Sequence, residues 1–203
     1  MAEQQQQQQQ QEEEEEGMKS PDTPVPGGSP TGKALSLARL LQYECSRLLQ
    51  LYMEQETFLS EQPPKGSRMV SLSPSAEQPD PEEAVRRLHA ALRQCLGLLH
   101  SAIARAEEEW GSLEGDYETL RHTVRMRLEH LLHTTKNLLQ TDDATLEVTP
   151  DIRCDEETDG GGGGAFQLKI WTHRVLLELV HWADHATQAL HVLHTQREGT
   201  QDV

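Results

Sequence analysis

Four stretches of this chain repeat apolar residues at intervals of three and four, the mark of one buried face on an α-helix. In the first, Ala34, Ala38, Leu41, Cys45, Leu48 and Tyr52 form the stripe, and the pattern predicts a helix from about 34 to 58. The second opens at Asp80-Pro81-Glu82-Glu83 and carries Val85, Leu88, Leu92, Cys95 and Leu99, extended by Ile103 and Ala106. Asp suits the cap, Pro the first helical position, and the acids the positive end of the helix dipole. The third follows Gly115, with Asp116 as cap, through Tyr117, Leu120, Val124, Leu128, Leu131, Thr135 and Leu138. The fourth follows the glycine run at 160–164 and carries Leu168, Thr172, Val175, Leu179, Trp182, Ala186 and Leu193, with Ala189 and Leu190 beside them. No period-2 pattern competes, so the fold class is all-α.

Helices of about 25 residues with one apolar stripe each must pack on one another, as a four-helix bundle. The link around Trp110 to Gly115 is short and makes an antiparallel hairpin. The other two links, of about 20 and 25 residues, are each long enough to run back along a helix. That predicts an up-up-down-down bundle with two long crossover loops joining parallel neighbours. The domain is expected to span 34–195. Residues 1–33 hold unbroken glutamine and glutamate runs followed by Pro21, Pro24, Pro26 and Pro30, and offer nothing to bury. They are expected to be a disordered tail, as is 196–203. Segments 60–79 and 141–165 are loop-like.

Acids outnumber bases by 34 to 18, for a net charge of -16. Phosphate backbones need Lys and Arg to neutralise them, so nucleic acid is a poor partner. No apolar run approaches the roughly 20 residues that cross a bilayer. The amino terminus, Met-Ala-Glu followed by glutamines, lacks the basic start and apolar core of a secretory signal. Cys45, Cys95 and Cys154 make neither a disulfide framework nor a zinc pair. The expectation is a cytoplasmic protein, one that acts outside the cell only after non-classical release.

Catalytic motifs are missing: no Gly-x-Ser-x-Gly, no phosphate loop, no dinucleotide fingerprint. An enzyme is not expected, nor a cofactor. His181 and His185 stand one turn apart, as do His130 and His133, a spacing that suits a metal. All four fall beside core positions, and the plainer reading is that they line polar flanks. Phe166 is different. At 100° per residue it lies nearly opposite Leu168, so it faces away from the core, with Lys169 on the same face at i+3. An exposed aromatic beside a long cation has the composition of an interface hot spot. The alternative is that Phe166 tucks under a crossover loop.

Several fragments occur together in order. They are Leu37-Ala38-Arg39 with Tyr52 on the first helix, Glu114-Gly115-Asp116-Tyr117 entering the third, and Phe166-Gln167-Leu168-Lys169-Ile170-Trp171 opening the fourth. With these the chain resembles the ciliary neurotrophic factor branch of the interleukin-6 family of long-chain helical cytokines, over residues 37 to 194. A cardiotrophin-like branch is the nearest competitor. The resemblance implies a neurotrophic cytokine that assembles cell-surface receptors and starts JAK–STAT signalling. It implies that Phe166 and Lys169 contact the leukaemia inhibitory factor receptor. The shared signal-transducing receptor would take the exposed faces of the first and third helices, including Glu44, Arg47, Arg121 and Arg125. A non-signalling alpha subunit would take Arg39 and the region of His191. Gln42 and His191 stand where further arginines are expected, and no tryptophan lies between 60 and 79, so the alpha-subunit surface departs from the family pattern. Two other readings remain open at this point: an intracellular helical scaffold or adaptor, and a metal enzyme built on Glu178 and His181.

Overall fold

The computed structural model describes residues 28–57, 68–72, 80–111, 114–139 and 164–199. Among them are four helices and no strand: α1 (Pro30–Gln55), α2 (Pro81–Trp110), α3 (Asp116–Leu139) and α4 (Gly164–Gly199). Every α1 stripe residue read from the sequence is buried, as are Val85, Leu88, Leu92, Cys95 and Leu99 on α2. Leu128 and Leu131 of α3 and Val175, Leu179 and Leu190 of α4 belong to the same core.

The helix ends follow their capping chemistry. Ser29 Oγ accepts from the Gly32 amide at 3.1 Å with Pro30 next in the chain, so α1 starts at Pro30 rather than near 34. The expected tail boundary at 33 is therefore too late: Thr31 is already buried. The α1 end also moves, from the expected 58 back to Gln55. At the carboxyl end α4 runs on through Gly199, where a tail from 196 was expected. Arg197 Nη2 reaches Glu82 Oε1 at 3.1 Å, which ties that last turn to the start of α2. Residues 1–27, 140–163 and 200–203, with Cys154, lie outside the described residues.

Side-chain contacts fix the topology. Along α1 and α4, Thr31 meets His194, Gln42 meets Asp184 and Tyr52 meets Lys169, so the pair is antiparallel. Glu44 to Arg127 sets α1 against α3; Arg197 to Glu82, with Arg105 over Trp171, sets α4 against α2. His89 to Thr135 sets α2 against α3. All four pairs are antiparallel, which gives up-up-down-down. The long links join α1 to α2 and α3 to α4, and these are diagonal partners rather than the parallel neighbours expected: each helix packs chiefly on its two antiparallel neighbours.

Part of the first long link belongs to the core. Val70 is buried, the Met69 amide donates to Glu178 Oε1 at 3.1 Å, and the Ser71 amide donates to Gln94 Oε1 at 3.1 Å. Glu178 on α4 and Gln94 on α2 are buried carbonyl and carboxylate acceptors that would otherwise lose hydration without return. The strap 68–72 supplies their donors.

Candidate functional site

The antiparallel arrangement brings the last turns of α1 and α2 to the same end of the bundle as the first turns of α3 and α4. The helix α4 starts at the last glycine of its run. Phe166, in its first turn, is 51% exposed, while Leu168 turns into the core. Lys169 is half-buried and held twice. Tyr52 Oη donates to its carbonyl at 3.0 Å. Its Nζ donates to Glu56, 2.7 Å from Oε1 and 2.9 Å from Oε2. The same ammonium stands 5.8 Å from the ring centre of Trp110, the last residue of α2, which is 36% exposed. Gly111 ends α2 there with φ 76°, a conformation that most side chains resist. Tyr52 stacks on Tyr117 with ring centres 5.5 Å apart. Burial, then the neighbouring Tyr117 and Glu56, push the Tyr52 phenol up, so it stays a neutral donor.

Two of the four residues assigned to the α1 and α3 faces are not on a face. Glu44 is 8% exposed and takes a two-pronged hydrogen bond from Arg127, Nε at 3.1 Å and Nη2 at 2.9 Å, across the α1–α3 seam. Arg121 is 5% exposed, paired with Glu118 and set 5.7 Å from the Tyr117 ring. Burial raises the Glu118 carboxyl and Arg121 pulls it back only in part. Arg47 is exposed, 3.9 Å from Glu54; Arg125 is half-buried, 3.2 Å from His122 Nδ1. What this side does show, and what the stripes did not single out, is apolar surface. Tyr43 is 69% exposed, joined by Leu40 on α1 and Met126 on α3. A cleft of about 390 Å³ opens between α2 and α3, lined by His100, Ile103, Glu107, Glu118, Arg121 and Arg125.

Arg39 and His191 are exposed on α1 and α4, in the half of that seam bracketed by the Thr31–His194 and Gln42–Thr187 contacts. Val192, beside His191, is an exposed apolar neighbour. His130 and His133 are exposed; His181 and His185 are half-buried with ring centres 4.5 Å apart. Burial lowers the pKa of both, Arg68 lowers both further, and Asp184 opposes. Among the described residues no group of three His, Cys, Asp or Glu side chains could hold a metal ion. Cys45 and Cys95 are free and buried, and burial drives both thiols far above their ordinary pKa.

No protein-family model matches the chain. Ciliary neurotrophic factor of Mus musculus is 23% identical over 175 residues, spanning 82% of this chain and 84% of that protein. Together with the four antiparallel-packed helices, that distant likeness supports a cytokine-like helical protein.

Proposed function

We propose that the chain is a neurotrophic cytokine that acts by binding and bridging cell-surface receptors, with no active site. Its receptors in this reading are the leukaemia inhibitory factor receptor and the shared signal-transducing receptor, with an alpha subunit at Arg39 and His191, and the output is JAK–STAT signalling. The observation that carries the reading is Phe166. A large aromatic, 51% exposed, stands out from the first turn of α4 at an end where Tyr52 and Tyr117 pack inward. Exposed aromatics beside a long cation concentrate binding energy at interfaces. A second exposed apolar set, Tyr43 and Leu40 on α1 and Met126 on the antiparallel α3, suits the shared receptor, with Arg47 also exposed on α1. Two separate surfaces on one rigid bundle are what bridging needs. In this reading the protein is held in the cytoplasm and reaches its receptors by non-classical release.

The test is addition of purified protein at nanomolar concentration to cells bearing these receptors, with STAT phosphorylation as the readout. Wild type is expected to signal, and Phe166→Ala to lose signal while its circular dichroism and melting stay at wild-type values. No response from wild type, with the protein recovered in intracellular complexes instead, would favour an adaptor.

A further inference from the structure

Glu178 carries its charge at a depth where it must stay paired. It is 8% exposed, and its Oε1 takes two hydrogen bonds from the strap 68–72: the Met69 amide at 3.1 Å and Arg68 Nε at 3.2 Å. Its Oε2 is buried without a hydrogen-bond partner among the described residues. A carboxylate so placed can exchange one cation for another but is costly to leave bare. His181 stands one turn further along α4, at i+3, and its Nε2 is likewise buried and unpartnered among the described residues. The His185 ring lies 4.5 Å from that of His181. A second source of positive charge therefore stands beside the carboxylate that anchors the strap.

The groups facing the two imidazoles are of both signs. The strap brings Arg68, and α4 itself brings Glu178 and Asp184. Neutral Gln42 of α1 donates to one oxygen of Asp184 at 2.7 Å, and Gln188 donates to the other at 2.6 Å. On α2, Gln94 Oε1 takes the Ser71 amide, and burial keeps the Cys95 thiol protonated. With the strap docked, burial and Arg68 disfavour charge on both rings, and the carboxylates recover only part of that cost. With the strap gone, Arg68 no longer opposes, and Glu178 is open to a protonated His181. The released form takes up protons more readily than the docked one. Docking is then intact above the ordinary histidine pKa of 6.5 and weakens as pH falls below it.

We propose that the strap 68–72 is an acid-released latch, in which protonated His181, backed by His185, displaces Arg68 and the Met69 amide from Glu178. Release uncovers Val70, which is buried when the strap is docked, while the four helices stay packed. The latch needs no receptor and stands whether or not the chain is a cytokine.

The experiment follows amide hydrogen exchange in the full chain by NMR from pH 7.5 to 5.0, each rate divided by that of an unstructured peptide at the same pH. Protection at Met69 and Ser71 is expected to fall about tenfold or more beyond any loss at Leu41 and Leu48 of α1. His181→Gln combined with His185→Gln, checked for wild-type helicity, is expected to remove that extra fall. Arg68→Gln is expected to lower protection already at pH 7.5 and to shrink the acid effect, because the opposing charge is gone. An equal loss at the strap and at Leu48 would mean that the bundle opens as a whole, and would overturn the latch. So would protection at Met69 that rises in acid, which would place protonated His181 on Glu178 with the strap still docked. An acid effect of wild-type size in the double variant would assign it to other groups. Should the double variant misfold, Arg68→Gln still decides: an undiminished acid effect there sinks the competition for Glu178.

Discussion

The two ends of the α1–α4 seam treat the same residue type in opposite ways. At the closed end His194 is fully engaged: Nδ1 lies 3.1 Å from Thr31 Oγ1, and Nε2 lies 3.3 Å from Glu198 Oε1. Ser29 caps α1 beside it, and Gly32 is packed so closely that an added Cβ would lie 3.3 Å from His194 Cε1. Toward the open end His173 is 3% exposed with neither ring nitrogen hydrogen-bonded, a few residues from a phenylalanine that points into solvent. Where α1 begins and α4 ends, His194 is satisfied at both ring nitrogens. Toward the start of α4, apolar area is left exposed and a buried imidazole goes unpaired. In the proposed reading, stability and recognition are allotted to different ends.

Phe166→Ala should have the largest effect on function and almost none on folding. Truncating an interface anchor costs about 2 kcal/mol or more, roughly thirtyfold in receptor affinity, whereas removing an exposed side chain moves stability by about 0.5 kcal/mol or less. Titration by surface binding together with a thermal melt separates the two; a variant that melts early would make Phe166 part of the core. At the closed end the order reverses. Deleting residues 1–31 removes the Ser29 cap and buried Thr31 and should cost about 1–2 kcal/mol, a few degrees in melting temperature, with receptor affinity kept. Deleting 1–27 leaves the cap in place and should leave the melt unchanged. Equal melts for both deletions would show that the cap is unimportant.

His194→Ala should lower stability by about 1 kcal/mol, read by denaturant unfolding, because it removes the contact from Thr31 on α1 to α4 and leaves the buried Thr31 hydroxyl with Ser29 alone. His173→Leu should be nearly neutral at pH 7.5, or slightly stabilising, since it removes a buried polar ring that makes no hydrogen bond. The pH dependence sharpens the contrast. Burial lowers the His173 pKa below its ordinary 6.5. The unfolded chain then takes up protons before the folded one does, so stability is intact above about pH 6.5 and falls as pH drops below it. His181 and His185 shift in the same direction and add to the loss. Unfolding measured from pH 7.5 to 5 should steepen less in His173→Leu than in wild type. An identical slope would mean that His173 titrates as it does in the unfolded chain.

The core was legible because periodicity reports which residues share a face, and the buried α1 stripe follows it residue for residue. Phe166 was legible for the same reason, being out of phase with Leu168. What periodicity cannot report is how wide the buried arc becomes once two neighbours pack on one helix. Glu44 sits one residue from Cys45 and is covered because α3 lies over that flank and Arg127 answers its charge. Arg121 is buried on Glu118 for a similar reason: its long stem can lie along apolar surface. The strap was missed for another reason. Val70 carries no local pattern, and its place depends on Glu178 and Gln94, acceptors far away in sequence on two other helices. The clamp on Lys169 likewise joins residues from three segments and leaves no signature in any of them.

The sealed thiols of Cys45 and Cys95 turn oxidation into a clock. Only a thiolate attacks a disulfide or an oxidant, and burial keeps both sulfurs protonated and out of reach. The folded molecule can thus move from a reducing to an oxidising medium with these two residues covalently unchanged. Their modification proceeds only as fast as the bundle opens. The rate at which a thiol reagent consumes them, once independent of reagent concentration, is the rate at which the bundle opens, so the covalent state of these two residues is governed by the packing of the core rather than by the redox potential around it.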